Sequence, residues 1–229
     1  MLFKGSCAAW EGEAMPKRAL IESRPWLVAG IALAIAFWLV ADGALGGTFK
    51  IVLKGASVVA LAGYALSRSK ARDARMIAAV MAAGAAGDVA LELSTIAGGA
   101  FFLLSHLIAI ALYLRNKRPQ PSRTQRLAAR ALFLGVPLAA WLLTRDPMAV
   151  IYSIALGTMA DTAWLSRFSR YNVGIGALMF VASDLLIFAR LGGVLDEGVT
   201  GWLVWPLYYA GQLLICTGVI RAVRKDHRA

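Results

Sequence analysis

Residues 75–114 read RMIAAVMAAGAAGDVALELSTIAGGAFFLLSHLIAIALYL. Two apolar runs, 75–93 and 95–114, follow one another with only Ser94 between them. Crossing the hydrocarbon core of a bilayer takes about 20 mostly apolar residues in a helix, and each run has that length. Neither run shows the alternation of a barrel strand, and an open strand would leave its edge groups unsatisfied in lipid. The stretch therefore predicts an antiparallel pair of transmembrane helices. Asp88, Glu92 and His106 lie inside that pair.

Outward from this pair the same reading recurs at 25–41, 49–66, 127–144, 148–165, 173–191 and 201–222. The expectation is an all-α, polytopic membrane protein of about eight helices over 25–222, between an N-terminal tail 1–24 and a C-terminal tail 223–229. Composition agrees: 59% of the 229 residues are hydrophobic, mean hydropathy is +0.66, and soluble domains are only about half apolar. Glu11, Glu13, Lys17 and Arg18 interrupt the N-terminus before any long apolar core, so the first run reads as a retained helix rather than a cleaved leader. The runs 127–144 and 148–165 are also closely joined and predict a second hairpin. On the third run, Ala79, Ala83 and Gly87 form a small-residue stripe of the kind that lets membrane helices approach closely.

The formal charge is +11. In a soluble protein that would suggest nucleic acid, but here the basic residues sit in short loops and no nucleic-acid partner is expected. They fall in alternate connections: Lys4, Lys17, Arg18 and Arg24; Arg68 to Arg75; Arg115 to Arg130; Arg167 and Arg170; Arg221 to Arg228. The intervening loops hold little beyond Lys50, Arg145 and Arg190. By the positive-inside rule both termini are cytoplasmic. The compact loops and the lack of an organelle signal suggest a plasma or inner membrane, and the pattern specifies no oligomeric state. Cys7 and Cys216 form neither a disulfide framework nor a metal-ligand spacing, and no cofactor is expected.

An ionisable residue at membrane depth costs at least about 2.5–3.5 kcal/mol on insertion scales, so it generally faces the bundle interior and serves a function. Lys54, Asp88, Glu92, His106, Asp161 and Asp184 are such residues, with Tyr208, Tyr209 and Gln212 as uncharged companions. Counting depth from the assigned orientation brings Lys54, Asp88, Asp184 and Tyr208 to one level in the outer half. Gln212 lies one turn deeper, and His106 falls near the midplane. Asp161 falls close to the cytoplasmic end and reads as an ion pair with Arg167 or a snorkelling interface residue. Lys54 has a snorkelling alternative, His106 one as a satisfied core residue, and Glu92 one as a solvated helix end. Asp88 and Asp184 have no Arg or Lys at helical spacing on their own segments; each needs a partner from another helix.

Two carboxyls that share a dry site do not readily ionise together, so such a pair offers an acid beside a base. The chain has no GxSxG, HExxH or CxxC. Ser105 or Ser183 with His106 would supply triad residue types, but adjacent helix positions point to different faces. Residue type allows a metal held by His106, Asp88 and Asp184, without support from spacing. Paired carboxylates also serve as proton relays in transporters, although neither an inverted repeat nor Pro- or Gly-broken half-helices stand out. Acid-catalysed cleavage, proton-coupled transport and metal-dependent hydrolysis of a lipid thus remain as readings.

At these residues the chain resembles the lysoplasmalogenase family of membrane proteins, the YhhN-like family. Gly87 and Asp88 in GAAGDVALEL resemble the family's third-helix GD motif, and FFLLSHLIAIALY, with Phe101, His106 and Tyr113, the aromatic–His segment that follows. GALMFVASDLLIFARL, with Gly176, Ala177, Phe180, Ser183 and Asp184, resembles the GA-x-x-F-x-x-SD motif. Tyr208, Tyr209 and Gln212 in YYAGQLLI resemble the last-helix YY-x-x-Q motif. Lys54 matches the second-helix Lys, although Gly55 stands where the family often has Pro. The resemblance implies hydrolysis of the vinyl-ether bond of lysoplasmalogens, with a lysophospholipid substrate taken from the bilayer. Asp88, Asp184 and His106 then become the catalytic candidates. Lys54, Ser183, Tyr208, Tyr209 and Gln212 become substrate-binding ones.

Overall fold

The structure, a computed structural model, describes residues 24–41, 43 and 47–226. Lys4, Cys7, Lys17 and Arg18 of the N-terminal tail, and Arg228 of the C-terminal one, lie outside the described residues. The chain is a polytopic helical membrane protein. Among the described residues eight α-helices follow in order: α1 Pro25–Val40, α2 Gly47–Arg68, α3 Arg72–Leu91, α4 Thr95–Arg115, α5 Arg123–Thr144, α6 Pro147–Leu165, α7 Ile175–Leu191 and α8 Glu197–Asp226. A short π-helical turn, Arg170–Gly174, leads into α7. Helices α2 to α8, with α7 counted from Arg170, are long and apolar enough to cross a membrane by length and composition. The apolar helix α1, at 16 residues, is shorter and falls outside that set.

Local sequence sets the helix ends. Ser94, the single residue between the two opening runs, caps α4 by accepting from the Ala97 amide at 3.3 Å. Ser122 and Gln125 make a reciprocal capping box at the start of α5. Asp146 caps α6 through the Met148 amide at 2.9 Å, and Pro147 occupies the first turn, where a missing N–H costs nothing. Between these helices Arg145 takes a left-handed conformation, φ 54°, which turns the chain within two residues.

Sequential helices pack on one another, except that α4 and α5 do not touch. α8 closes the bundle by contacting α1, α2, α3 and α7, while α4 meets α6 and α5 lies outside against α6 and α7. Burial follows that order, with 61% of the apolar window of α8 buried against 17% for α5. Large apolar side chains such as Leu134, Leu138 and Leu142 cover the outer face of α5, as a lipid-facing helix requires. The expected small-residue stripe is half kept. Gly87 is buried, and a Cβ there would lie 2.9 Å from the Phe102 ring of α4, whereas Ala79 is exposed. α7 also crosses α8 closely, where a Cβ on Gly176 or on Gly211 would lie 2.7 Å from the carbonyl oxygen of the other.

The ends of the bundle differ in charge as the loops predict. Arg167 bonds Asn116 Oδ1 at 2.6 Å and Asp226 at 2.8 Å, and lies 3.9 Å from Asp73, while Arg115 pairs with Asp73 at 3.2 Å. These contacts gather the start of α3 and the ends of α4, α6 and α8 at one end. The opposite end holds Lys50 on the Ala41 carbonyl and Arg190 beside Glu197. Asp161 is half-buried on α6, and Arg167 is engaged with Asp73, Asn116 and Asp226 instead of with it. The loop carries Arg167 away from the last turn of α6 toward α3 and α8.

Candidate active site

The two expensive carboxylates sit in the half of the bundle away from the basic loops, each at the centre of its own hydrogen-bonded arm. Asp88 is 2% exposed near the end of α3. Tyr208 of α8 donates to its Oδ2 at 2.7 Å, and Lys54 Nζ of α2 stands 3.9 Å from Oδ1. Lys54 also reaches Glu92 at 3.3 Å, one turn beyond Asp88 on the same face of α3. This lysine therefore bridges a buried carboxylate and a half-exposed one, and Glu92 is an ion-pair partner rather than merely solvated. Gln212, one turn along α8 from Tyr208, approaches the Tyr208 hydroxyl with Nε2 at 3.5 Å. Its Oε1 is buried without a hydrogen-bond partner among the described residues.

Asp184 is 7% exposed on α7. Tyr152 of α6 donates to its Oδ2 at 2.8 Å, and Ser183 Oγ makes a long contact to Oδ1 at 3.4 Å. The Tyr152 hydroxyl also meets His106 Nε2 of α4 at 3.1 Å. With its one proton directed to the carboxylate, Tyr152 accepts here, so His106 is the donor at Nε2. The arm therefore runs His106, Tyr152, Asp184 across three helices.

An aromatic wall joins the arms. The Phe180 ring lies 5.1 Å from His106 and 5.2 Å from Tyr208, and Phe102 packs edge-on to Phe180 and to Tyr208. Every buried charge here has a partner supplied by another helix, which is what tolerating it in a low-dielectric bundle demands.

Lys54, Asp88, Tyr208 and Gln212 come together in one arm, and His106, Ser183 and Asp184 in the other. Tyr209 does not join them. It stacks on Trp205 at 5.8 Å, and its hydroxyl is buried on the α1 side, 2.8 Å from where a Cβ on Gly30 would stand. One residue turns a helix by about 100°, so the neighbour of Tyr208 must face elsewhere. Ser105 donates to the Val80 carbonyl at 3.0 Å and does not partner His106.

Two residues of the site are absent from the sequence reading. Tyr152 is five residues into α6 and Asp184 seven from the end of α7, which by helical rise puts both roughly 10 Å below the same end. The depth count takes in Tyr208 but not Tyr152, a tyrosine near the outer end of its run, where the residue has an ordinary home. Gly84 lies one turn from Asp88, and a Cβ there would sit 3.1 Å from Gln212 Nε2 and 3.4 Å from the Tyr208 hydroxyl. Its bare backbone lets the polar side chains of α8 approach α3. In sequence it is one small residue among many.

The arrangement can hold a proton on one carboxyl and a charge on the other. Among the described residues no three His, Cys, Asp or Glu side chains stand together as a metal-ligand set.

The chain is similar to two curated proteins called lysoplasmalogenase, from Mycobacterium bovis and Mycobacterium tuberculosis. Each is 29% identical over 179 residues, covering 72% of this chain and 68% of the relative. No solved structure matches it significantly. The model of the YhhN family matches residues 49–219. That span runs from α2 into α8 and contains both hydrogen-bonded arms, so the chain belongs to the YhhN family.

Proposed function

We propose that this protein is a membrane-embedded hydrolase that cleaves the vinyl-ether bond of lysoplasmalogens to a fatty aldehyde and a glycerophospho-alcohol. Membership of the YhhN family and likeness to two lysoplasmalogenases support the reaction class. The observation that carries the chemistry is the pair of buried carboxylates with unlike partners. Asp88 has the ammonium of Lys54 beside it, while Asp184 is bonded by the neutral hydroxyls of Tyr152 and Ser183.

In this reading Asp184 is the acid and Asp88 the carboxylate. A proton passes from Asp184 to the β-carbon of the alkenyl ether, and the ether oxygen and α-carbon become an oxocarbenium ion. The Asp88 carboxylate stabilises that cation and takes a proton from the water that attacks the α-carbon. The resulting hemiacetal collapses to the aldehyde and the free alcohol, with net consumption of one water. His106 holds Tyr152, and Tyr152 holds Asp184, so this arm aims the acid. The unpartnered Gln212 Oε1 is an acceptor for the attacking water. Lys54, bridging Asp88 and Glu92, lies near the outer edge, where a phosphate headgroup would rest. The alkenyl chain would lie along the apolar helices.

Purified protein in zwitterionic vesicles is expected to release aldehyde from a lysoplasmalogen. Asp88→Asn and Asp184→Asn should each lose roughly a hundredfold or more in kcat, the usual range for removing an acid or base. Full activity in both variants would falsify the assignment, and substrate movement across sealed vesicles without aldehyde would replace hydrolysis by transport.

A further inference from the structure

At the opposite end of the bundle, ~20 Å along α8 from Tyr208 by helical rise, lies a second polar feature. A cavity of about 220 Å³ is lined by Arg24, Tyr64, Ile220, Arg221, Arg224 and Lys225. The lining residues come from the entrance to α1, the last turns of α2 and the last turns of α8. Tyr64 and Ile220 are buried and form an apolar floor, Arg24 and Arg224 are half-buried, and Arg221 and Lys225 are exposed. Arg24, at the start of α1, and Arg221 and Lys225, at the end of α8, thus face one hollow whose lining, among the described residues, includes no carboxylate.

Among the described residues, Asp73 and Asp226 at this end are engaged outside the hollow. Asp73 holds Arg115 and Arg167, and Asp226 holds Arg167 at 2.8 Å. Like charges gathered at short range repel, and an anion seated among them reverses the sign of that interaction. The hollow is far larger than the ~30 Å³ one water takes in the liquid, which leaves room for a phosphate and its first substituent. Its apolar floor suits the glycerol side of a lipid headgroup better than a fully hydrated ion. The end it occupies carries the basic loops, which face the leaflet rich in anionic lipid.

We propose that this cavity is a binding site for the phosphate headgroup of an anionic phospholipid of the cytoplasmic leaflet, separate from the candidate active site. Arg24, Arg221 and Lys225 supply charge to the phosphate, and the lipid ties the start of α1 to the end of α8. The site rests on its own geometry and not on the vinyl-ether reading, so failure of one leaves the other standing.

The test is thermal unfolding of the full chain in phosphatidylcholine nanodiscs, followed by titration with short-chain phosphatidylglycerol. Phosphatidylglycerol is expected to raise Tm, and equal amounts of inorganic phosphate are not. Changing Arg24, Arg221 and Lys225 together to Gln should abolish the rise and weaken apparent binding roughly a hundredfold, since each cation near the surface contributes about one factor of five. Changing Arg123, Arg126 and Arg130 to Gln removes as much charge from the same end, all of it exposed and outside the cavity, and should keep the rise. Arg221→Glu alone, at an exposed position, should sharply reduce the rise, which keeps the test open if the triple variant is unstable. An equal rise in both triple variants would overturn the site, as would no rise in the parent chain. Full reproduction by inorganic phosphate would overturn its assignment to a lipid.

Discussion

Tyr152 makes one hydrogen bond to Asp184 and one to His106, and its ring packs on Phe188 at 6.0 Å. Those contacts separate two jobs, filling space and orienting the Asp184 carboxyl. Tyr152→Phe keeps the ring and removes the link, so it tests orientation alone. The expected result is a fall in kcat of roughly tenfold to a hundredfold, little change in KM, and an unchanged Tm within about 1 kcal/mol of stability. A rise in KM at constant kcat would make Tyr152 a substrate contact instead. Asp88 and Asp184 were legible in the sequence because an acid in an apolar run is conspicuous by its cost. Tyr152 was not, because a tyrosine in a membrane helix costs little and has an ordinary home at the interface. Only the convergence of α4, α6 and α7 distinguishes it.

Helices were the most legible level, since length and hydropathy fix spans when every backbone group must be satisfied within its own segment. The hairpin around Ser94 and the tight turn at Arg145 and Asp146 both follow from capping residues visible in the chain. Which helix faces touch is a different matter. The stripe on α3 points to Ala79, Ala83 and Gly87, yet a close backbone approach is Gly176 on Gly211, between α7 and α8. The π-helical turn before α7 likewise leaves no periodic mark. Close packing at that crossing makes a sharp prediction. Gly211→Ala adds a methyl 2.7 Å from a backbone oxygen that cannot rotate away, and overpacking of this kind costs about 1–3 kcal/mol. Gly135→Ala on α5, with nothing within 4 Å of the new methyl, should hold or raise stability, because Ala exceeds Gly in helices by up to about 1 kcal/mol. The check is Tm in matched detergent; equal Tm values for the two variants would remove the crossing as a point of close packing.

At the scale of the whole molecule, the bundle has a basic end and an end holding both carboxylates. Arg24, Arg115, Arg167, Arg221 and Lys225 gather at the first, and Lys54, Glu92, Arg190 and Glu197 lie toward the second. Successive antiparallel helices explain this, because they return every second loop to the same side, and the sequence places its cations in those loops. The same pattern sets the side from which a lipid would approach the carboxylates, since Asp88 and Lys54 lie within the half facing away from the basic loops. Insertion of a phosphatase reporter between Arg145 and Asp146 is therefore expected to give an active, translocated enzyme. Insertion of the same reporter in the loop after Lys117 should leave it inactive, and a fluorescent protein fused after Ala229 should remain bright inside the cell. The reverse pattern would turn the molecule over and place the carboxylates in the cytoplasmic half, so that lysolipid would enter from the inner leaflet.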